Sequence, residues 1–174
     1  MSGQTAIYNN VVRSRVMDNG AEVEDVTSIT LPSIEHPTTE ISTNGMAGAM
    51  SLPDSAFINS MTMSIAHNNG KGASALAKPG RHAIIINVAR QKYDTAGQEI
   101  GFKNVTYKMI ALHTKSDKGK VETKNPLGTT DDFSVTRYEE IVEGTTTILI
   151  DVPGGIVQFD GEDYTSQVEA ALNA

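Results

Sequence analysis

Alternation constrains this chain most. Ile84, Ile86 and Val88 recur at every second position of 82–92, and Val105, Tyr107, Met109 and Ala111 do the same in 100–114, with Asp94-Thr95-Ala96-Gly97 between them. A period of two places those residues on one face of a pleated strand and their neighbours on the other, so the two runs predict a long antiparallel hairpin with one buried face. Asn87, Ala89, Thr106 and Lys108 then belong to the opposite face, which is small, polar and wettable.

The rest of the chain follows the same pattern. Ala6–Val16 reads as a strand whose apolar content is Val11, Val12 and Val16, closed by the turn signal Asp18-Asn19-Gly20. Ala21–Leu31 returns as its partner, with Val26, Ile29 and Leu31 toward the core and a bulge between 26 and 29. Met61, Met63 and Ile65 alternate in a further strand, and 73–78 is a short helix stopped by Pro79-Gly80. Residues 115–130 form a polar loop carrying Lys115, Lys118, Lys120 and Lys124. Phe133–Val142 and Thr146–Val152 make a second hairpin turned at Glu143-Gly144, with Ile148, Ile150 and Val152 inward. The capping-box pattern at Ser166–Glu169 starts a terminal helix running to Leu172. The expected fold is a single, mainly β domain over residues 1–174, a β-barrel or pair of packed antiparallel sheets with one short helix in its body and a long extended arm.

That arm is residues 32–54. Two extended pieces, one bearing Glu40 and Ile41, flank the tip Asn44-Gly45-Met46-Ala47-Gly48-Ala49-Met50. Asn-Gly is a strong turn dipeptide, and nothing at the tip can perform acid–base or nucleophilic chemistry. Methionines at the end of an arm gain nothing from water; each is worth about 1.5–3 kcal/mol when buried in a partner's groove. The tip is therefore expected to bind protein.

Catalytic and metal chemistry find no support. His36, His67, His82 and His113 lie in separate segments without ligand spacing and read as surface or strand-end residues, so no metal or cofactor is expected. The pairs Asp131-Asp132, Glu139-Glu140 and Glu162-Asp163 project to opposite faces of a strand and read as solvated charge. Ser55, Ser60 and Ser64 lack the nucleophile-elbow context, and Asn69–Ser74 lacks the spacing of a phosphate loop. Tyr107 and Tyr138 lack the basic interleaving of single-strand nucleic-acid readers and read as core or rim. With no cysteine, the fold stands on packing alone; a formal charge of −7 disfavours binding the outside of nucleic acid. No signal-peptide pattern or membrane-length apolar run occurs, so assembly in the cytoplasm without a membrane anchor is expected unless another machine exports the protein.

The order Val26–Leu31, Pro32, Glu40 and Gly45–Met50 resembles the N-terminal third of the major tail tube proteins of contractile phage tails and R-type tailocins. The likeness continues through Arg90–Gln98 with Asp94 and Gly97, Arg137-Tyr138, Gly144–Asp151 and Phe159–Tyr164. The helix at 73–78 is shorter than the family's, and basic residues that often follow the last segment are missing.

This resemblance implies a structural, non-enzymatic role. Subunits would form hexameric rings that stack as the inner tube of a virion tail or released tailocin, inside a contractile sheath and between baseplate and terminator proteins. DNA would pass through the lumen only in a phage. It implies that Glu40, Ile41 and Asn44–Met50 reach the next ring and that the long hairpin, with Asn87, Ala89, Thr106 and Lys108, lines the lumen or meets a neighbour. Both tube surfaces are expected to be acidic, with Lys115, Lys118, Lys120 and Lys124 at the ring boundary. A type VI secretion tube is the alternative within this class; outside it stand a monomeric ligand-binding β-barrel and, more remotely, an esterase or glycosidase.

Overall fold

The computed structural model describes residues 7–174; Ala6, the expected first residue of the first strand, lies outside them. Strands dominate, and all pair antiparallel. The expected hairpin forms β7 (Arg81–Tyr93) and β8 (Glu99–Asp117), with Ile86 opposite Tyr107 and Ile84 opposite Met109. β1 (Ile7–Asp18) pairs with β7 on one side, and β9 (Thr129–Val142) with β8 on the other.

The sheet forks at β9. The free edge of β9 pairs through 129–135 with β6 (Met61–His67) and through 137–142 with β10 (Thr145–Asp151). One branch continues from β6 to β3 (Val26–Thr30), and the other from β10 to β11 (Ile156–Phe159) and β12 (Glu162–Asp163). β2 (Ala21–Val23) covers only the last residues of β1. The order β3-β6-β9-β8-β7-β1 curls toward a barrel without closing, because β1 and β3 do not pair. Three two-residue turns, Asn19-Gly20, Glu143-Gly144 and Asp160-Gly161, carry both residues at positive φ, the type I′ geometry whose twist matches that of the strands.

The core fills the concave side. Ile84, Ile86 and Val88 meet Met61, Met63, Ile65, Phe133, Val135, Tyr138 and Ile150, while Val26, Ile29 and Leu31 cover them as partly buried residues. The four-residue helix α1 (Ala73–Leu76) adds Leu76.

Several expectations need correction. Ala21–Leu31 is not one strand: Asp25 at φ 59 turns the chain out of β2, and β3 joins β6 instead, although the bulge falls between Val26 and Ser28 as expected. Val11, Val12 and Val152 are more than half exposed, because β1 outruns the strands that would cover it and Val152 lies beyond the last residue of β10. The polar loop spans only 118–128, since β8 extends to Asp117 and pairs Lys115 with Asp132. The terminal helix α2 (Tyr164–Leu172) starts earlier than Ser166, because Asp163 Oδ1 accepts the amides of Thr165 and Ser166.

Candidate assembly surfaces

Three surfaces hold the residues singled out by the sequence, and they are separate. The first is the arm. β4 (Thr38–Ile41) and β5 (Met50–Pro53) form a two-stranded sheet of their own, and every residue of both is exposed. Register pairs Ile41 with Met50 and Thr39 with Leu52 on one face, Glu40 with Ser51 and Thr38 with Pro53 on the other. Asn44-Gly45 makes the turn, closed by the Met46 amide donating to the Thr43 carbonyl at 3.0 Å. Ile41, Met46, Met50 and Leu52 are 39%, 40%, 48% and 40% exposed, so the hairpin presents an apolar face rather than a tip alone. Leu52 escaped notice in the sequence because only pairing reveals which residues share a face.

Its root is held firmly. The His36 ring donates from Nδ1 to the carbonyls of Asp54, at 3.1 Å, and Phe57, at 2.9 Å, which fixes the tautomer because carbonyls only accept. The Asp54 amide donates back to the Pro37 carbonyl at 2.8 Å. From this clamp to Gly45 the strand geometry gives a reach of about 30 Å at about 3.3 Å per residue. His36, expected as a surface or strand-end residue, lies just before β4 and ties both ends of the arm together.

The second surface is the convex face of the long hairpin. Asn87, Ala89, Thr106 and Lys108 do share it, and the Thr106 hydroxyl donates to Asn87 Oδ1 at 2.9 Å. Pairing adds Arg13 opposite Ala89, Arg15 opposite Asn87, Glu139 opposite Lys108, and Arg137 opposite Ile110. Cations therefore predominate here, with Arg15 bound to Glu22 at 3.2 Å. Arg13 and Arg15 come from a different part of the chain and join this face only through pairing with β7, while Asp151 lies opposite Arg137.

The third surface is the end bearing the loop. Lys118, Lys120 and Lys124 are exposed on 118–128, with Lys115 exposed on β8 beside it. Lys120 pairs with Glu122, and the resulting hydrogen bond, with one from Asn125, holds the Glu122 carboxyl below its usual range. The loop is ordered: the Lys120 amide donates to the Leu127 carbonyl at 3.3 Å, and Gly119, at φ 72, lies where an added Cβ would sit 2.0 Å from the Leu127 oxygen.

Beneath this end is a network the sequence did not disclose. Asp131, fully buried, accepts from His67 Nε2 at 2.7 Å and from His113 Nε2 at 3.3 Å. His67 Nδ1 accepts the Asn69 amide at 3.2 Å, so Nε2 carries the proton given to Asp131. Burial pushes the Asp131 carboxyl up, but the hydrogen bonds from His67 and His113 outweigh it and leave the group below the ordinary carboxylate range. Buried His82 lies 3.0 Å from both Asp18 oxygens through Nδ1 and 2.8 Å from the Lys78 carbonyl through Nε2. His67 and His82 lie at strand ends, as expected, but buried rather than on the surface, and buried Asp131 corrects its reading as solvated charge. No cluster among the described residues has the donors for a metal.

Tyr138 is 3% exposed and donates to Glu140 Oε2 at 3.0 Å; burial and the Glu140 charge push its phenol up. Tyr107 is half-buried, and burial raises it likewise. No helix among the described residues is long and apolar enough to cross a membrane.

The profile of the phage tail tube protein FII family matches residues 11–172. The chain belongs to that family. Its fold is similar to that of a chain in the PVC sheath–tube complex of an extracellular contractile injection system, solved by cryo-EM in the extended state, at TM-score 0.53 and 14% identity over 76% of this chain and 90% of that one. A chain in the sheath/tube terminator of the same kind of system gives TM-score 0.51 and 13% identity over 76% and 95%. At these identities the likeness is one of fold. No curated protein sequence matches significantly. The protein is a structural component of a phage-type tail tube.

Proposed function

We propose that this tail tube protein closes into hexameric rings that stack head to tail as the inner tube of a contractile injection device, inside a sheath and between a baseplate and a terminator. The observation that carries the reading is the hairpin β4–β5, a clamped projection whose apolar residues Ile41, Met46, Met50 and Leu52 remain exposed in its own subunit. A monomeric ligand-binding barrel has no use for it. Six or so copies acting together multiply a modest contact into a stable ring-to-ring joint through effective concentration. Head-to-tail contact that does not close gives an open filament.

In this reading Glu40, Ile41 and Asn44–Met50 contact the adjacent ring. Asn87, Ala89, Thr106 and Lys108 line the lumen or meet a ring neighbour, and Lys115, Lys118, Lys120 and Lys124 lie at the ring boundary. Support for the wall comes from the shared convex face, and for the boundary from four exposed lysines at one end of an acidic subunit. The subunit is assembled in the bacterial cytoplasm and ends in a virion tail or a released particle, with DNA in the lumen only where the particle is a phage.

Size-exclusion chromatography and negative-stain microscopy at rising concentration test this directly: rods or rings are expected from the wild type. Met46→Asp with Met50→Asp is expected to leave a folded subunit that forms no rods. Normal rods from the double variant would refute the role of the arm, and a wild type that stays monomeric at every concentration would refute the tube.

A further inference from the structure

Where the curled sheet fails to close, β1 and β3 leave a seam. Its cavity, about 300 Å³, has a mainly apolar wall of Val11, Ile29, Leu31, Ile86, Val88 and Tyr107, to which Ser14, Thr27 and Ser28 add polar groups. Arg90, inward-facing like Ile86 and Val88 in the alternation of β7, also lines it, and its Nε is buried without a hydrogen-bond partner. An unpaired guanidinium N–H in mainly apolar surroundings calls for an anionic acceptor. Both sides of the seam are free strand edges: β1 is uncovered before Val16, and β3 pairs only with β6. The site therefore suits an extended segment that carries one carboxylate, pairs through its backbone and is otherwise uncharged.

The chain contains such a segment. Between Thr38 and Pro53 the single ionisable side chain is Glu40, and the segment is an extended hairpin. We propose that the arm of one copy docks in the β1–β3 seam of another copy, with the Glu40 carboxylate on the Arg90 guanidinium. The alternation of the hairpin fits this placement. With Glu40 turned inward beside Val11, Ile41 and Met50 turn outward, on the side of Val12, which the bulge in β1 leaves out of register and 55% exposed. Val11, 58% exposed in the single subunit, is covered by the same event. The arm's own seam stays open because every residue of β4 and β5 is exposed.

This rests on the tube reading, so the test separates the two. The chain has no cysteine, so Glu40→Cys with Val11→Cys introduces the only thiols, at exposed positions. Oxidised rods of this variant are expected to run as a ladder of disulfide-linked copies on a non-reducing gel. Glu40→Cys with Leu172→Cys, placed on a 79%-exposed residue of α2 that does not line the seam, should not. In parallel, Glu40→Arg and Arg90→Glu are each expected to abolish rods, and the charge-exchanged double variant to restore them. If Arg90→Glu does not fold, the cross-link decides. Rods without a ladder, or a disulfide within one copy, would overturn the seam as the docking site while leaving the tube intact; a wild type that forms no rods overturns both.

Discussion

Replacing Asp131 tests whether the buried histidine network holds the loop-bearing end together. Asp131 has no exposed surface and supplies one oxygen to His67 at 2.7 Å and the other to His113 at 3.3 Å. In Asp131→Asn the amide keeps one accepting oxygen, so one histidine N–H loses its partner. His67 is buried, at 1% exposure, and an orphaned donor there costs about 1–3 kcal/mol. Asp131→Ala removes both acceptors, leaves both histidine donors unpaired at about 1–3 kcal/mol for each buried one, and adds a small cavity. The pH dependence follows from the direction of the shift. Because the folded carboxyl lies below its unfolded value of about 3.9, its contribution is complete above that value and disappears as pH falls through the folded one. Urea denaturation of the non-assembled subunit at neutral pH, repeated down to strongly acid pH, measures both effects. Expected is a loss of about 1–3 kcal/mol for Asn and more for Ala, each shrinking in acid where the wild type also loses the interaction. An Asn variant within about 0.5 kcal/mol of wild type, the range of neutral surface changes, would refute the network as a stabilising element.

Other expectations are quicker to check. Changing Lys115, Lys118, Lys120 and Lys124 to Gln should remove the loosening of rods between low and high ionic strength; an unchanged salt response in turbidity or sedimentation shows the loop to be a solvated turn. Gly119→Ala would force a methyl against the Leu127 carbonyl, and a loss of about 1–3 kcal/mol or local disorder of 118–128 in hydrogen exchange is expected. Asp163→Ala removes the N-cap of α2 and should lower hydrogen-exchange protection of its first turn. The hydrogen bonds from Thr165 and Ser166 hold the Asp163 carboxyl down, so the wild-type cap should fade only below the usual carboxylate range.

Much of this architecture is local and was legible in the residues. Alternation places Ile84, Ile86, Val88, Met61, Met63 and Ile65 in the core because side-chain direction in a strand depends only on parity. Asn19-Gly20 and Glu143-Gly144 turn where expected because positive φ is a property of the dipeptide. The arm was legible for the same reason, as an Asn-Gly turn between extended pieces, and so was the shared face of Asn87, Ala89, Thr106 and Lys108. Pairing beyond the local hairpins β7–β8 and β9–β10 was left to tertiary structure. β3 joins β6 rather than β1, and Val11 and Val12 stay uncovered because no strand overlies that part of β1. Arg13 and Arg15 turn the convex face basic through pairing with β7. His67 finds Asp131, and His82 finds Asp18, each across a separation of 64 residues. No spacing rule encodes such partners, since a buried polar side chain is satisfied by whatever the folded chain brings within about 3 Å of it.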